Sequence, residues 1–210
     1  MHTLYGSQGS GSAAVEAALA ICGLPFRIVS AATWDAGSAL AELARVNPLQ
    51  QIPTLVLPGG AVLTESAAIL IHLGLAHPQA GLLPADAAAR DQAIRGLVFI
   101  AANCYSAIGV IDYPERWCAQ PDEALTDSLR QGARARLHRQ WELFADIFAP
   151  PGAFFGGETV GALDLLAAVV SKWSGTRAHL RDARPGFSAL LERIDAHPNV
   201  NAVFSRHWPA

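Results

Sequence analysis

The chain has 210 residues, is 51% hydrophobic and carries a formal net charge of -3. Such a length and apolar content allow one large or two small packed domains and exclude a disordered chain, while the charge, with no cluster of basic residues, excludes a nucleic-acid surface. Charge or glycine breaks the apolar runs well short of the roughly 18 to 20 residues a membrane span needs, and the opening MHTLYGSQGS has no basic region leading into an apolar one, so a cytoplasmic protein without a membrane partner is expected.

Residues 2–6 (HTLYG) read as a short strand, followed by the loop SQGSGS. From Ser12, apolar residues recur at helical spacing (Val15, Ala18, Leu19, Cys22) and stop at Gly23, a C-terminal helix signal. Residues 25–29 (PFRIV) read as a second strand. Strand, helix and strand in so short a span predict a parallel βαβ unit with a right-handed crossover. A second helix is expected over about 38–46. A hairpin follows, from Thr54 to Leu57 and Ala61 to Leu63 around Pro58-Gly59-Gly60, and then a third helix over about 65–76. Thr64-Glu65-Ser66 puts hydroxyls at the start of that helix, where free N–H groups can hold a carboxylate.

The segment from His77 to Ala88 carries two prolines and a glycine between apolar helices and reads as a linker. Beyond it the pattern is helical throughout. A long helix is expected over about 87–112, another over about 122–148 and a third over about 162–173, with shorter ones near 186–195 and 199–205. Cys22, Cys104 and Cys118 form no CxxC pair, and the seven histidines show no HExxH grouping, so the cysteines read as free thiols and a metal site has no support. The glycines of GSQGSG lack the partners of a phosphate loop.

The stretch NPLQQIPTLVLPGGAVLTESAAILIHL, from Asn47 to Leu73, carries the most specific pattern. Asn47-Pro48, Ile52-Pro53, a hairpin and then Glu65-Ser66 opening a helix resemble the glutathione-binding half of the glutathione S-transferase (GST) superfamily, position by position. The resemblance implies an α/β plus all-α architecture. A thioredoxin-like domain of order βαβαββα would occupy 1–78, a linker 79–87, where Leu82-Leu83-Pro84 resembles a phrase at the family's domain junction, and a helical bundle 88–210. It implies a cis peptide before Pro53, which would turn the N–H and C=O of Ile52 outward to pair with an extended ligand. Gln51, Ile52, Pro53, Glu65 and Ser66 would then form the glutathione site, with Ser66 and the helix end on the γ-glutamyl carboxylate and Glu65 on its ammonium. The family also has a Ser or Thr cap followed by Asp three positions later. Here Asp164 is kept, read as structural, but Gly161 stands at the cap.

In that family a hydroxyl, or backbone N–H groups at a helix start, favours the thiolate of glutathione. The loop after the first strand would supply it. Counting back from Gly23-Leu24-Pro25-Phe26, the cysteine of the family's beta class falls on Gly11, so a mixed disulfide with the ligand is not expected. Ser10 and Ser12 are the candidate hydroxyls, backbone N–H groups an alternative, and Tyr5 a third candidate. Tyr5 shares its strand face with Thr3, and which face meets the ligand is open. Tyr105, Tyr113 and Trp117 would wall the second-substrate pocket, with a phenol available to an electrophile; the alternative is interdomain packing. Cys104 beside them reads as packing or a reactive thiol. This phrase resembles one in little-characterised bacterial GST-like proteins, including one from enterobacteria. The implied activity is transfer of the glutathione thiolate to an electrophilic, largely apolar substrate by a homodimer. The alternatives are glutathione-dependent disulfide or peroxide reduction, and a non-catalytic binding module.

Overall fold

The computed structural model describes residues 1–209 apart from Ala36 and Pro151. Its first half is a four-stranded sheet in the order β2-β1-β3-β4. β1 (His2–Gly6) pairs in parallel with β2 (Phe26–Ser30) and antiparallel with β3 (Thr54–Val56), which turns back into β4 (Val62–Leu63). Three helices, α1 (Ser12–Ile21), α2 (Leu40–Val46) and α3 (Ser66–Ala76), complete the expected βαβαββα order.

Alternation along β1 divides the sheet's two faces. Leu4 joins the main core with residues of α1 and α3, whereas Tyr5 packs with Ala31 and with Leu43 of α2 on the other side. The alanines 13, 14, 17 and 18 let α1 lie close against β1, α3 and two helices of the second half, so it is buried almost end to end. It stops where Gly23 takes φ +65°, a left-handed value that a side chain would resist.

The second half is helical. The rod expected over 87–112 is continuous but not uniform: α4 (Ala87–Phe99) passes through a π-helical stretch, Ile100–Tyr105, into α5 (Ser106–Asp112). By length and apolarity alone this 26-residue rod could cross a membrane. Here its apolar residues Leu97, Ile100, Cys104 and Ile108 enter the core, and the rod packs on α6 (Glu123–Phe148) and α7 (Ala162–Val170), as the core helix of a domain does. α8 (Thr176–Ala183) has no counterpart in the sequence reading; α9 (Pro185–Ala196) and α10 (Pro198–His207) do. Trp141 and Phe144 of α6 are fully buried, and Phe144 stacks on Phe148 with centroids 4.7 Å apart.

The segment read as a linker is packed rather than loose. Leu82 and Leu83 are buried, and the Leu82 carbonyl accepts the Ala162 N–H at 2.7 Å. A Cβ on Gly161 would stand 2.9 Å from that same carbonyl, which gives the glycine at the α7 cap a physical reason. Asp164 does the capping alone: its carboxylate accepts the N–H of Gly161 at 2.9 Å and of Phe155 at 3.0 Å. Side chains of the sheet half and the helical half thus form one hydrophobic cluster.

Candidate functional site

The loop between α2 and β3 is shaped by one buried side chain. Asn47 donates from Nδ2 to the Gln51 carbonyl at 3.1 Å and to Thr54 Oγ1 at 2.9 Å, while its Oδ1 accepts the Leu49 N–H at 3.1 Å. Thr54 Oγ1 in turn donates to the Gln51 carbonyl at 2.8 Å. These bonds fold residues 47–51 into a compact turn with Gln50 at φ +53° and lead into a cis Ile52-Pro53 peptide. Pro53 is buried, Gln51 is exposed, and no hydrogen bond among the described residues uses the Ile52 N–H or C=O. A free backbone edge beside β3 is what an extended ligand needs in order to pair.

Glu65 and Ser66 open α3, the helix that follows the β3–β4 hairpin into which Pro53 leads. Ser66 is the first helical residue and Glu65 precedes it at φ +63°, a value non-glycine residues adopt at a cost of about 1–3 kcal/mol. No side chain caps this end. Its free N–H groups, with the Ser66 hydroxyl beside them and the exposed Glu65 carboxylate ahead of them, suit a ligand carrying both an anion and an ammonium.

The start of α1 corrects the expectation for Ser10 and Ser12. Both side chains are buried. The Ser10 hydroxyl donates to the Ser7 carbonyl at 2.7 Å, Ser12 Oγ reaches the same carbonyl at 3.2 Å, and the two oxygens are 2.8 Å apart. Each hydroxyl has one proton, and both protons are taken up within this knot. Serine sequence spacing is compatible with a ligand contact; the inward-turned rotamers are not. Tyr5 is corrected as well: its phenol lies on the α2 face and donates to Glu42 Oε1 at 2.7 Å, away from the starts of α1 and α3. Burial, and then the Glu42 bond, raise its pKa.

The loop before α1 is held from the far end of the chain. His207 Nδ1 accepts the Gly9 N–H at 3.2 Å and His207 Nε2 donates to the buried Glu16 carboxylate at 2.8 Å, which together fix the ring's tautomer. Arg206 adds a second bond to Glu16 and gives its carbonyl to Gln8 Nε2 at 3.0 Å. Burial opposes ionisation of Glu16, but the bonds from His207 and Arg206 outweigh it and hold its pKa below the ordinary value. Trp208 comes near the open side of Gly9.

From the helical half, one expected wall residue reaches this place. Tyr105, at the end of the π-helical stretch, sets its ring edge-on to Trp173 with centroids 5.7 Å apart. Its hydroxyl stands 2.5 Å from where a Cβ on Gly11 would be. Burial, then the charges of Asp112 and Glu65, push the phenol up to about 12. Tyr113 lies past the end of α5 with the Arg116 guanidinium 3.9 Å above its ring. Trp117 is a correction: it is 63% exposed and borders a separate surface groove of about 340 Å³ with Ser106, Val110 and Leu125, and Tyr105 is not part of that groove. Cys104 is fully buried, and burial pushes its thiol up to about 12, so it packs and does not react. Among the described residues, no cluster of three His, Cys, Asp or Glu side chains is placed to hold a metal ion.

A family model described as the N-terminal domain of glutathione S-transferase matches residues 12–75. The chain is 30% identical over 208 residues to an uncharacterized GST-like protein of Escherichia coli strain K12, YncG, covering 99% of this chain and 98% of that one. It belongs to the glutathione S-transferase superfamily. Two solved GST structures are similar over nearly the whole length. A Methylobacterium radiotolerans glutathione S-transferase in complex with glutathione sulfonate is 25% identical, with a TM-score of 0.75 over 97% of this chain and 94% of that one. A Sulfitobacter homologue with bound glutathione is 24% identical, with a TM-score of 0.83 over 97% and 96%, and shows the shared fold.

Three residues of this GST site escaped the sequence reading. Asn47 stood in the family pattern without a role, although the dipeptide Asn47-Pro48 is itself a turn signal. Trp173 and His207 reach the site only through tertiary packing, and nothing in their own neighbourhoods marks them.

Proposed function

We propose that this chain binds glutathione in the cleft between the cis-Pro53 loop, the starts of α1 and α3 and Tyr105, and conjugates its thiolate to an electrophilic, largely apolar substrate. The observation that carries the reading is the pairing of the free Ile52 backbone edge with the uncapped, strained start of α3 at Glu65-Ser66. The similar structures solved with glutathione and with glutathione sulfonate support a ligand of this kind. The ligand's cysteinyl unit pairs with Ile52, its α-carboxylate takes the Ser66 hydroxyl and the helix N–H groups, and its ammonium takes Glu65. The sulfur then lies toward the start of α1, whose dipole favours the thiolate. The thiol proton leaves to solvent, the sulfur lone pair forms a bond to the electrophilic carbon, and the leaving group departs with its electron pair.

Calorimetric titration with reduced glutathione tests this directly. Binding at micromolar to millimolar ligand, with turnover of an aryl halide, is the expected result. Binding with turnover of a mixed disulfide alone assigns the reductase reading instead, and no binding at millimolar ligand ends both. Assembly as a cytoplasmic homodimer belongs to the same proposal, supported by the exposed apolar side chains of Val62, Leu75 and Val98 on β4, α3 and α4. A purified chain that sediments as a monomer throughout the micromolar range would remove the dimer.

A further inference from the structure

The knot of Ser7, Ser10 and Ser12 leaves the start of α1 without a side-chain donor. The Ser12 N–H goes to Ser10 Oγ at 3.2 Å and the Ala13 N–H to the Ser10 carbonyl at 3.2 Å, so two of this turn's backbone donors are engaged as well. Facing it stands a single phenol. The π-helical stretch inserts a wider turn into the α4–α5 rod, which re-aims the residues it carries, and Tyr105 is the last of them. No hydrogen bond among the described residues uses the Tyr105 hydroxyl. It stands over Gly11, where any side chain would displace it, and Glu65 is near enough for its charge to be felt at the phenol. The hydroxyl thus lies between the starts of α1 and α3, on the helical side of the cleft.

We propose that Tyr105 Oη donates a hydrogen bond to the sulfur of bound glutathione and is the side chain that stabilises its thiolate. The inference rests on glutathione occupying the cleft as described above. In it, the thiolate is held by a residue of the helical half, with the first strand's own tyrosine turned to the opposite face of the sheet. A donor must keep its proton, and burial keeps the phenol neutral at every pH at which the thiol titrates. Gly11 is then part of the device: its missing side chain is the space in which the phenol and the sulfur meet.

Tyr105→Phe removes only the oxygen and keeps the ring against Trp173. The readouts are the pKa of bound glutathione, followed by ultraviolet absorbance of the thiolate, and the affinity for S-methylglutathione, whose sulfur carries no proton. The expected result is a rise of the thiol pKa by about 1 to 2, equivalent to a drop of about 10- to 100-fold in thiolate at neutral pH, with S-methylglutathione affinity unchanged. Turnover of an aryl halide should fall at neutral pH and recover as pH rises. Gly11→Ala should give the same rise, and the double variant little more, because both act through one contact. An unchanged thiol pKa in Tyr105→Phe overturns the proposal, and lost turnover with that unchanged pKa gives the phenol to the electrophile. A wild-type chain that binds S-methylglutathione but holds the thiol at its free pKa also overturns it. Absence of any glutathione binding removes the underlying reading itself.

Discussion

Glu65→Ala combined with Ser66→Ala weakens glutathione binding by about 100- to 10,000-fold, as calorimetry will read it. Each residue supplies a charge-assisted contact, and such contacts contribute about 1.5–3 kcal/mol apiece, or about tenfold to a hundredfold in Kd. The double variant tests binding and not folding. Alanine carries the same Cβ as glutamate, so the cost of φ +63° at position 65 is already present in the wild type and does not change. The Ser66 hydroxyl has no hydrogen bond among the described residues that the substitution could break. An unaltered melting temperature with lost affinity is therefore the expected pair of results. Retained affinity would place the ligand's γ-glutamyl end elsewhere and defeat the proposed pose.

Asp164→Ala is expected to destabilise the fold by about 2 kcal/mol at neutral pH, and by about 1 kcal/mol more at pH 5. The loss comes from the N–H groups of Gly161 and Phe155, which are left without their acceptor in a site with no access to water. The pH dependence follows from the carboxyl itself. Burial raises it from the ordinary 3.8 to about 6, against the pull of the backbone donors. A carboxyl that holds its proton more tightly folded than unfolded contributes fully below pH 3.8 and loses that contribution as pH rises through about 6. The alanine variant lacks this decline, so the gap between the two proteins narrows toward neutral pH. Urea denaturation at pH 5 and 7.5 reads it, and a gap that widens with pH would refute the account.

Local chemistry made the sheet half legible. Pro58-Gly59-Gly60 marked the hairpin and Gly23 the end of α1, and Asn47, Pro53, Glu65 and Ser66 stand in an order that few other arrangements share. Alternation could not decide the fate of Tyr5, because β1 is central and both of its faces are covered, one by α1 and α3 and the other by α2. The π-helical stretch was invisible because its backbone shift costs no change in apolar pattern over 87–112. α8 was missed because it is short and polar, and the left-handed Gly175 that starts it looks like any turn glycine. Ser10 and Ser12 show a further limit: spacing says which loop carries a hydroxyl, but rotamers say which way it points. Tyr105 was read beside Tyr113 and Trp117, whereas the structure sets it against Trp173 and over Gly11, an approach that spans the two halves of the molecule.

The Gly9–His207 bond joins residues 198 positions apart. A ribosome making this chain produces the loop before α1 198 residues ahead of its anchor. A fragment ending near the linker could pair its strands, yet it would lack both His207, which steadies the loop, and Tyr105, which faces it. The half of the molecule that carries the family signature thus lacks two side chains of the proposed cleft, and the one from α10 takes its place only when that helix docks on α1.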